Sequence, residues 1–145
     1  MHGAPYVPTG KEMVERMVSL GNVGPGIVLA DLGSGDGRII IAAAKLGAEA
    51  HGFEINPLLV WRSRQKIRKL GLSDRAFVHF KSFWKADFGQ FDVITLFGIT
   101  KIMPGLEKKM NDELRDGAKV VSYVFKFPNW QYSTKDSSVY VYEKN

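Results

Sequence analysis

Val28-Leu29-Ala30-Asp31-Leu32-Gly33-Ser34-Gly35-Asp36-Gly37-Arg38 is the stretch on which the fold of this chain turns. Apolar residues lead into an acid, and glycines then recur at Gly33, Gly35 and Gly37. A helical pattern, Ile39-Ile40-Ile41-Ala42-Ala43-Ala44, follows at once. This reads as a buried strand, a tight glycine turn and a helix start, an arrangement in which backbone closely approaches a nucleotide-like ligand. The spacing is not that of a dinucleotide fingerprint, which requires G-x-G-x-x-G, because Arg38 stands where the third glycine would be.

On both sides of this stretch, strands and helices alternate. Lys11 to Leu20 carries a helical stripe of Met13, Met17, Val18 and Leu20 and ends near Gly21. Strand patterns are expected over 27–32, 49–53, 76–80, 91–97 and 118–125, with Glu54 at the end of the second. Helices are expected over 38–46, 57–70 and 107–114, the second with Pro57 in its first turn and Gly71 after its last. From Gln131 to Glu143 the alternation Val139-Tyr140-Val141-Tyr142 predicts a final antiparallel hairpin. Alternating strands and helices imply an α/β domain with a mostly parallel sheet and helices on both faces.

Composition bounds the function. A chain of 145 residues with 45% hydrophobic content and 12% aromatics reads as one folded domain spanning 1–145. No apolar run approaches the roughly 18 residues that span a bilayer. No leader-like apolar segment follows Met1, so a cytoplasmic location is expected. With no cysteine, disulfides, thiolate metal sites and cysteine nucleophiles are excluded. His2, His51 and His79 show no metal-ligand spacing. The net charge of +5 is densest at Arg62, Arg64, Lys66, Arg68 and Lys69, within one expected helix. That run reads as a solvated face without exposed aromatic interleaving, or as a surface for nucleic acid or an acidic protein.

Glu54 ends the second strand 21 positions after Gly33, close to the roughly 20 that puts an acid on ribose hydroxyls. A carboxylate accepts both hydroxyl hydrogens, which favours an acid there over an amide; an ordinary solvated acid is the alternative. Ser82-Phe83-Trp84 follows the third strand, where such sheets hold a base. Phe83 or Trp84 would cover its ring and Ser82 would face an exocyclic amine, unless these aromatics serve the core.

The G-x-G-x-G run behind an acid resembles motif I of class I S-adenosylmethionine (SAM) methyltransferases. Tyr6-Val7-Pro8-Thr9, Asp31 to Ile39, Gly52-Phe53-Glu54-Ile55-Asn56-Pro57 and Val120-Val121-Ser122 resemble one small family of them. It is the group containing archaeal broad-specificity protein-lysine methyltransferases and the mitochondrial enzymes that methylate lysine on ATP synthase and on the adenine nucleotide translocator. The resemblance implies a Rossmann-like, seven-stranded sheet and SAM as cofactor. Tyr6, Thr9, Asp31, Gly33, Ser34, Gly35, Gly37, Glu54, Ser82 and Phe83 are its implied contacts. Asp31 would meet the turn or the cofactor's amino group, and residues 1–25 would cover the site. The implied partner is a protein with an exposed lysine. Phe97, Tyr123 and Trp130 are the candidate acceptor-pocket residues, with Phe125 read as core. The chain departs from the family where Asp or Asn gives way to Ser82, where His and Glu give way to Tyr123 and Val124, and where an asparagine is missing between Gly98 and Met103.

Two other readings remain open on the sequence. A methyltransferase acting on RNA or a small molecule is one, although Thr95-Leu96-Phe97-Gly98 lacks the proline of the N/D-P-P-Y/F motif that positions an amino group. A SAM-binding module without catalysis is the other.

Overall fold

The computed structural model describes residues 10–145, in which five parallel strands continue into an antiparallel hairpin. The elements are α1 (Lys11–Leu20), β1 (Val28–Leu32), α2 (Arg38–Lys45), β2 (Glu49–Glu54), α3 (Pro57–Lys69), β3 (Ala76–Phe80), β4 (Val93–Leu96), α4 (Met103–Glu113), β5 (Lys119–Tyr123), β6 (Thr134–Asp136) and β7 (Val139–Glu143). The sheet runs β3-β2-β1-β4-β5-β7-β6, with β7 antiparallel to both β5 and β6. The expected α/β class, strand count and C-terminal hairpin are all borne out.

Burial explains the pattern. β1 and β4 are covered on both faces, which is why they read as continuous apolar runs rather than alternating ones. One face packs α1, α2 and α3 through Val14, Met17, Ile40, Val60 and Ile67. The other packs Leu106 and Met110 of α4, and Phe88 from the chain between β3 and β4, against sheet residues that include Tyr142 of β7. Chain order reverses around β1, which has β2 on one side and β4 on the other. The carboxyl end of β1 is therefore the switch point at which sheets of this kind open a crevice for ligand.

Several boundaries differ from the sequence expectation. α4 starts at Met103, not Glu107, because Pro104 lies in its first turn, where a missing N–H costs nothing. β4 is trimmed to Val93–Leu96, leaving Phe91 and Phe97 just outside it. β5 stops at Tyr123 because Val124 turns to φ +77°. Between β3 and β4 the chain makes two short 3₁₀ turns, Phe83–Lys85 and Phe88–Gln90.

Candidate cofactor and acceptor site

The glycine turn is positioned by β2. The N–H groups of Gly33 and Ser34 donate to the Phe53 carbonyl at 2.9 and 3.1 Å. Gly35 N–H donates to Glu54 Oε1 at 2.8 Å. Glu54 Oε2 accepts from the N–H groups of Ile55 and Asn56 at 3.1 and 3.0 Å. One carboxylate thus ties the loop after β1 to the loop after β2. Of the roughly four acceptor positions on a carboxylate, three are occupied and one remains for a hydroxyl.

The three motif glycines do different work. Gly33 and Gly35 sit at φ +76° and +58°, and a Cβ on either would meet nothing within 4 Å. Their backbone lines open space, as a ligand cradle requires. Gly37, at φ +84°, would place a Cβ 3.0 Å from the Ser63 side chain of α3, so its glycine is also a packing requirement. Sequence reading missed the steric role of Gly52 in β2. A Cβ there would come within 2.6 Å of both Cβ and Oγ of Ser34. The Ser34 hydroxyl itself is buried and has no hydrogen-bond partner among the described residues.

Asp31 lies at the end of β1, opposite Gly52 on one side and Thr95 on the other. Thr95 Oγ1 donates to Asp31 Oδ1 at 2.8 Å. Burial pushes the Asp31 carboxyl up to about 8, the Thr95 hydrogen bond opposes that rise, and the negative charges of Glu54 and Asp36 add to it. Thr95 was not singled out from sequence. Its signal was a lone hydroxyl within the apolar FDVITLF run. Asp36 faces elsewhere: partial burial raises its carboxyl, but Arg38, bound at 2.8 Å, outweighs this and holds it below its ordinary value.

After β3, Ser82 Oγ accepts the Trp84 N–H at 3.3 Å and so caps a 3₁₀ turn. The Phe83 and Trp84 rings lie 5.0 Å apart. A Cβ on Gly105 would approach the Trp84 ring at 3.3 Å, so that ring rests on α4. Phe83 packs against the α4-side core.

The candidate acceptor residues separate into two ring clusters. Phe97 lies 5.4 Å from Tyr123 and 5.6 Å from Phe125. Trp130 instead joins Phe127 at 5.4 Å and Tyr142 at 5.0 Å. The Trp130 backbone N–H donates to Glu107 Oε2 of α4 at 2.7 Å. A cavity of about 600 Å³ is lined by Phe125 of the first cluster and by Phe127, Trp130 and Tyr142 of the second, together with Val124 and Tyr132. A groove of about 1090 Å³ lies elsewhere, between α1, α2 and α3, lined by Val14, Val18, Ile41 and Leu46. Tyr6 and Thr9 lie outside the described residues.

Residues 31–134 match the profile of the ANTKMT methyltransferase domain. The chain belongs to this family. A lysine N-methyltransferase of ATP synthase from rat is 44% identical over 128 residues, covering 87% of this chain and 58% of the relative. The "Protein-lysine N-methyltransferase" of Saccharolobus islandicus is 38% identical over 128 residues, covering 87% of this chain and 80% of that protein. A crystal structure described as an RNA methyltransferase from Salinibacter ruber, with S-adenosyl-L-homocysteine bound, superposes with a TM-score of 0.87 at 34% identity. It covers 95% of this chain and 92% of that one. The chain spans only a little over half the length of the vertebrate ATP synthase lysine methyltransferases that it matches. The fold is thus that of this methyltransferase family, and it places Asp31, the glycine turn and Glu54 at one end of the sheet.

Proposed function

We propose that this chain is a SAM-dependent methyltransferase whose acceptor is the side-chain amine of a protein lysine. The observation that carries the reading is the Glu54 bridge beside an open glycine cradle. Backbone at Gly33 and Gly35 leaves room for a ligand, and Glu54 retains an acceptor position for a ribose hydroxyl. The buried Ser34 hydroxyl and the neutral Asp31 are polar groups that a polar, cationic ligand would satisfy. These residues therefore fit SAM. When bound, SAM would supply a methyl on a cationic sulfur, whose carbon a nitrogen lone pair can attack in line, forming N–C as S–C breaks and a neutral thioether leaves.

The chain's own contribution is binding and placement. Glu54 holds the two loops at the cradle, and Asp31 meets the cofactor's amino group as a carboxylate after releasing its proton. A lysine ammonium has no lone pair and must lose a proton to solvent before it reacts. The rings of Phe97, Tyr123 and Phe125 offer it apolar surroundings, which lower its pKa from the usual value of about 10.4. Residues 1–25, with Tyr6 and Thr9, cover the cofactor in this reading, and Ser82 and Phe83 border its base. Action in the cytoplasm is part of the same proposal; among the described residues no helix is long and apolar enough to cross a membrane.

Purified protein incubated with methyl-labelled SAM and a protein mixture tests the proposal by peptide mass spectrometry. Methyl mass increments on lysine are expected, and Glu54→Gln should weaken cofactor binding roughly 10- to 100-fold. Bound cofactor with no labelled lysine would overturn the lysine reading. Methyl transfer to RNA is the second outcome to examine, because a neighbour 34% identical over nearly the whole chain is described as an RNA methyltransferase.

A further inference from the structure

The positive charge of this chain is concentrated in α3. Arg62, Arg64, Lys66, Arg68 and Lys69 match in number the formal net charge of +5, and no acid occurs from Ile55 to Ser73. The structure divides these cations. Arg64 is occupied, donating to the Val78 carbonyl of edge strand β3 at 3.2 Å from Nε and 2.7 Å from Nη2. Lys66 lines the groove beside Asp36. Arg62, Arg68 and Lys69 are exposed, and none of them enters an ion pair among the described residues.

Next to these charges stand large apolar side chains in water. Ile55 is 68% exposed, Leu58 52%, Trp61 59% and Phe80 61%. The expectation of a basic face without exposed aromatics is therefore corrected by Trp61, which points outward between Val60 and Arg62. The four belong to one region. Ile55 directly follows Glu54, Phe80 stands opposite Glu54 in the β2–β3 register, and Leu58 and Trp61 are one turn apart on α3. Exposed apolar surface of this kind, bordered by charge, marks an interaction site.

We infer that this rim, Ile55, Leu58, Trp61 and Phe80 with Arg62, Arg68 and Lys69, docks the acceptor protein and selects lysines flanked by acidic and apolar residues. The inference rests on the lysine reading and adds to it the chemistry of the flanking chain. Three unpaired cations call for carboxylates on the partner. Two of the four apolar groups, Ile55 and Leu58, are aliphatic; they have no ring face to stack on a nucleic acid base, whereas a protein side chain buries them well. Ile55 and Phe80 lie at the same carboxyl edge of the parallel strands as Phe97 and Tyr123, so a protein chain seated on the rim runs along the edge at which the acceptor rings stand.

Steady-state methylation of lysine peptides with acidic, neutral or basic flanks, by the full chain, tests this. Acidic flanks should raise kcat/KM at least about tenfold over basic ones, with the advantage shrinking as salt is added. The triple variant Arg62→Glu, Arg68→Glu, Lys69→Glu should raise KM for acidic peptides and lower it for basic ones. Its cofactor affinity and its kcat on the neutral peptide should match wild type, which also shows that it is folded. Trp61→Ala should raise KM for all three. Equal kcat/KM whatever the flank overturns this inference while leaving lysine methylation standing. No methyl on any peptide overturns both. Binding of oligouridylate or of phosphatidylserine vesicles that the triple variant loses, with peptide kinetics unchanged, assigns the rim to another partner and overturns it as well.

Discussion

At the carboxyl ends of β1 and β2 the chain is held by backbone. Gly33, Ser34 and Gly35 donate into Phe53 and Glu54, and the glycines free the space in front of them. At the carboxyl ends of β4 and β5 it is held by rings, Phe97 with Tyr123 and Phe125; Trp130, expected from sequence at the same end, instead joins Phe127 and Tyr142 beside the start of β5, where Tyr142 pairs with Val120. The first region needs particular residue types at fixed spacing, because a hydrogen bond fails when a loop shifts by about half an ångström. The second needs volume and polarity, which many residue combinations provide. This is why the departures expected at Tyr123 and Val124 leave the strand order of the sheet intact, while the cradle depends on its motif.

The largest expected effect would break the first region alone. Gly52→Ala puts a methyl within 2.6 Å of Ser34, in a strand that cannot retreat. The glycine turn must shift, and cofactor affinity should fall on the order of 100-fold by calorimetry. An unchanged affinity would mean that the turn is not anchored on β2.

Next, the two ring clusters can be told apart. Trp130→Ala removes a half-buried ring packed on the buried Phe127 and Tyr142 and should cost about 2 kcal/mol in urea unfolding. Tyr123→Ala should cost less stability but raise the acceptor KM. If Trp130→Ala instead changed only KM, the acceptor would lie between the clusters, in the cavity shared by Val124 and Trp130.

Asp31 gives a prediction with a defined sign. Its folded-state value of about 8 lies above the usual 3.8, so the folded protein keeps a proton that the unfolded chain releases. That contribution to stability is complete below about pH 4 and is lost as pH rises towards 8. Asp31→Asn carries no titrating group, so its melting temperature should gain on wild type across this interval and hold a constant lead above it. A lead that stays flat with pH would show the carboxyl to be ionised throughout. Cofactor binding to wild type near pH 7 should release about one proton, measurable from the buffer dependence of the binding enthalpy.

The smallest effect concerns Val124. A β-branched residue at φ +77° stores strain of about 1–2 kcal/mol, part of which glycine would relieve. Val124→Gly should therefore raise the melting temperature by about 2–4 °C. It would also show whether this turn, rather than the Phe97 ring, sets acceptor affinity.

The alternation of strands and helices, the glycine turn and the position of Glu54 are all legible in the residues. Each depends on local rules: side-chain periodicity, the positive φ open to glycine, and the run of chain that carries one parallel strand to the next. The start of α4 is misplaced from sequence because proline in a first turn looks like a breaker until the helix is seen. Other features have no local signature. Thr95 reaches Asp31 from a strand 64 positions away, and Gly52 is needed only because Ser34 lies across it. Phe97 and Trp130 look alike in sequence, but different partners sort them into separate clusters. Nothing in the pattern of α3 sets Trp61 apart from a buried ring, yet it stands in water beside Arg62. Sequence alone determined the fold and the half of the site built from contiguous motifs, because those are set by backbone geometry within a few residues. Burial, register and ring contacts were decided by tertiary structure, because they depend on which distant segments the sheet brings side by side.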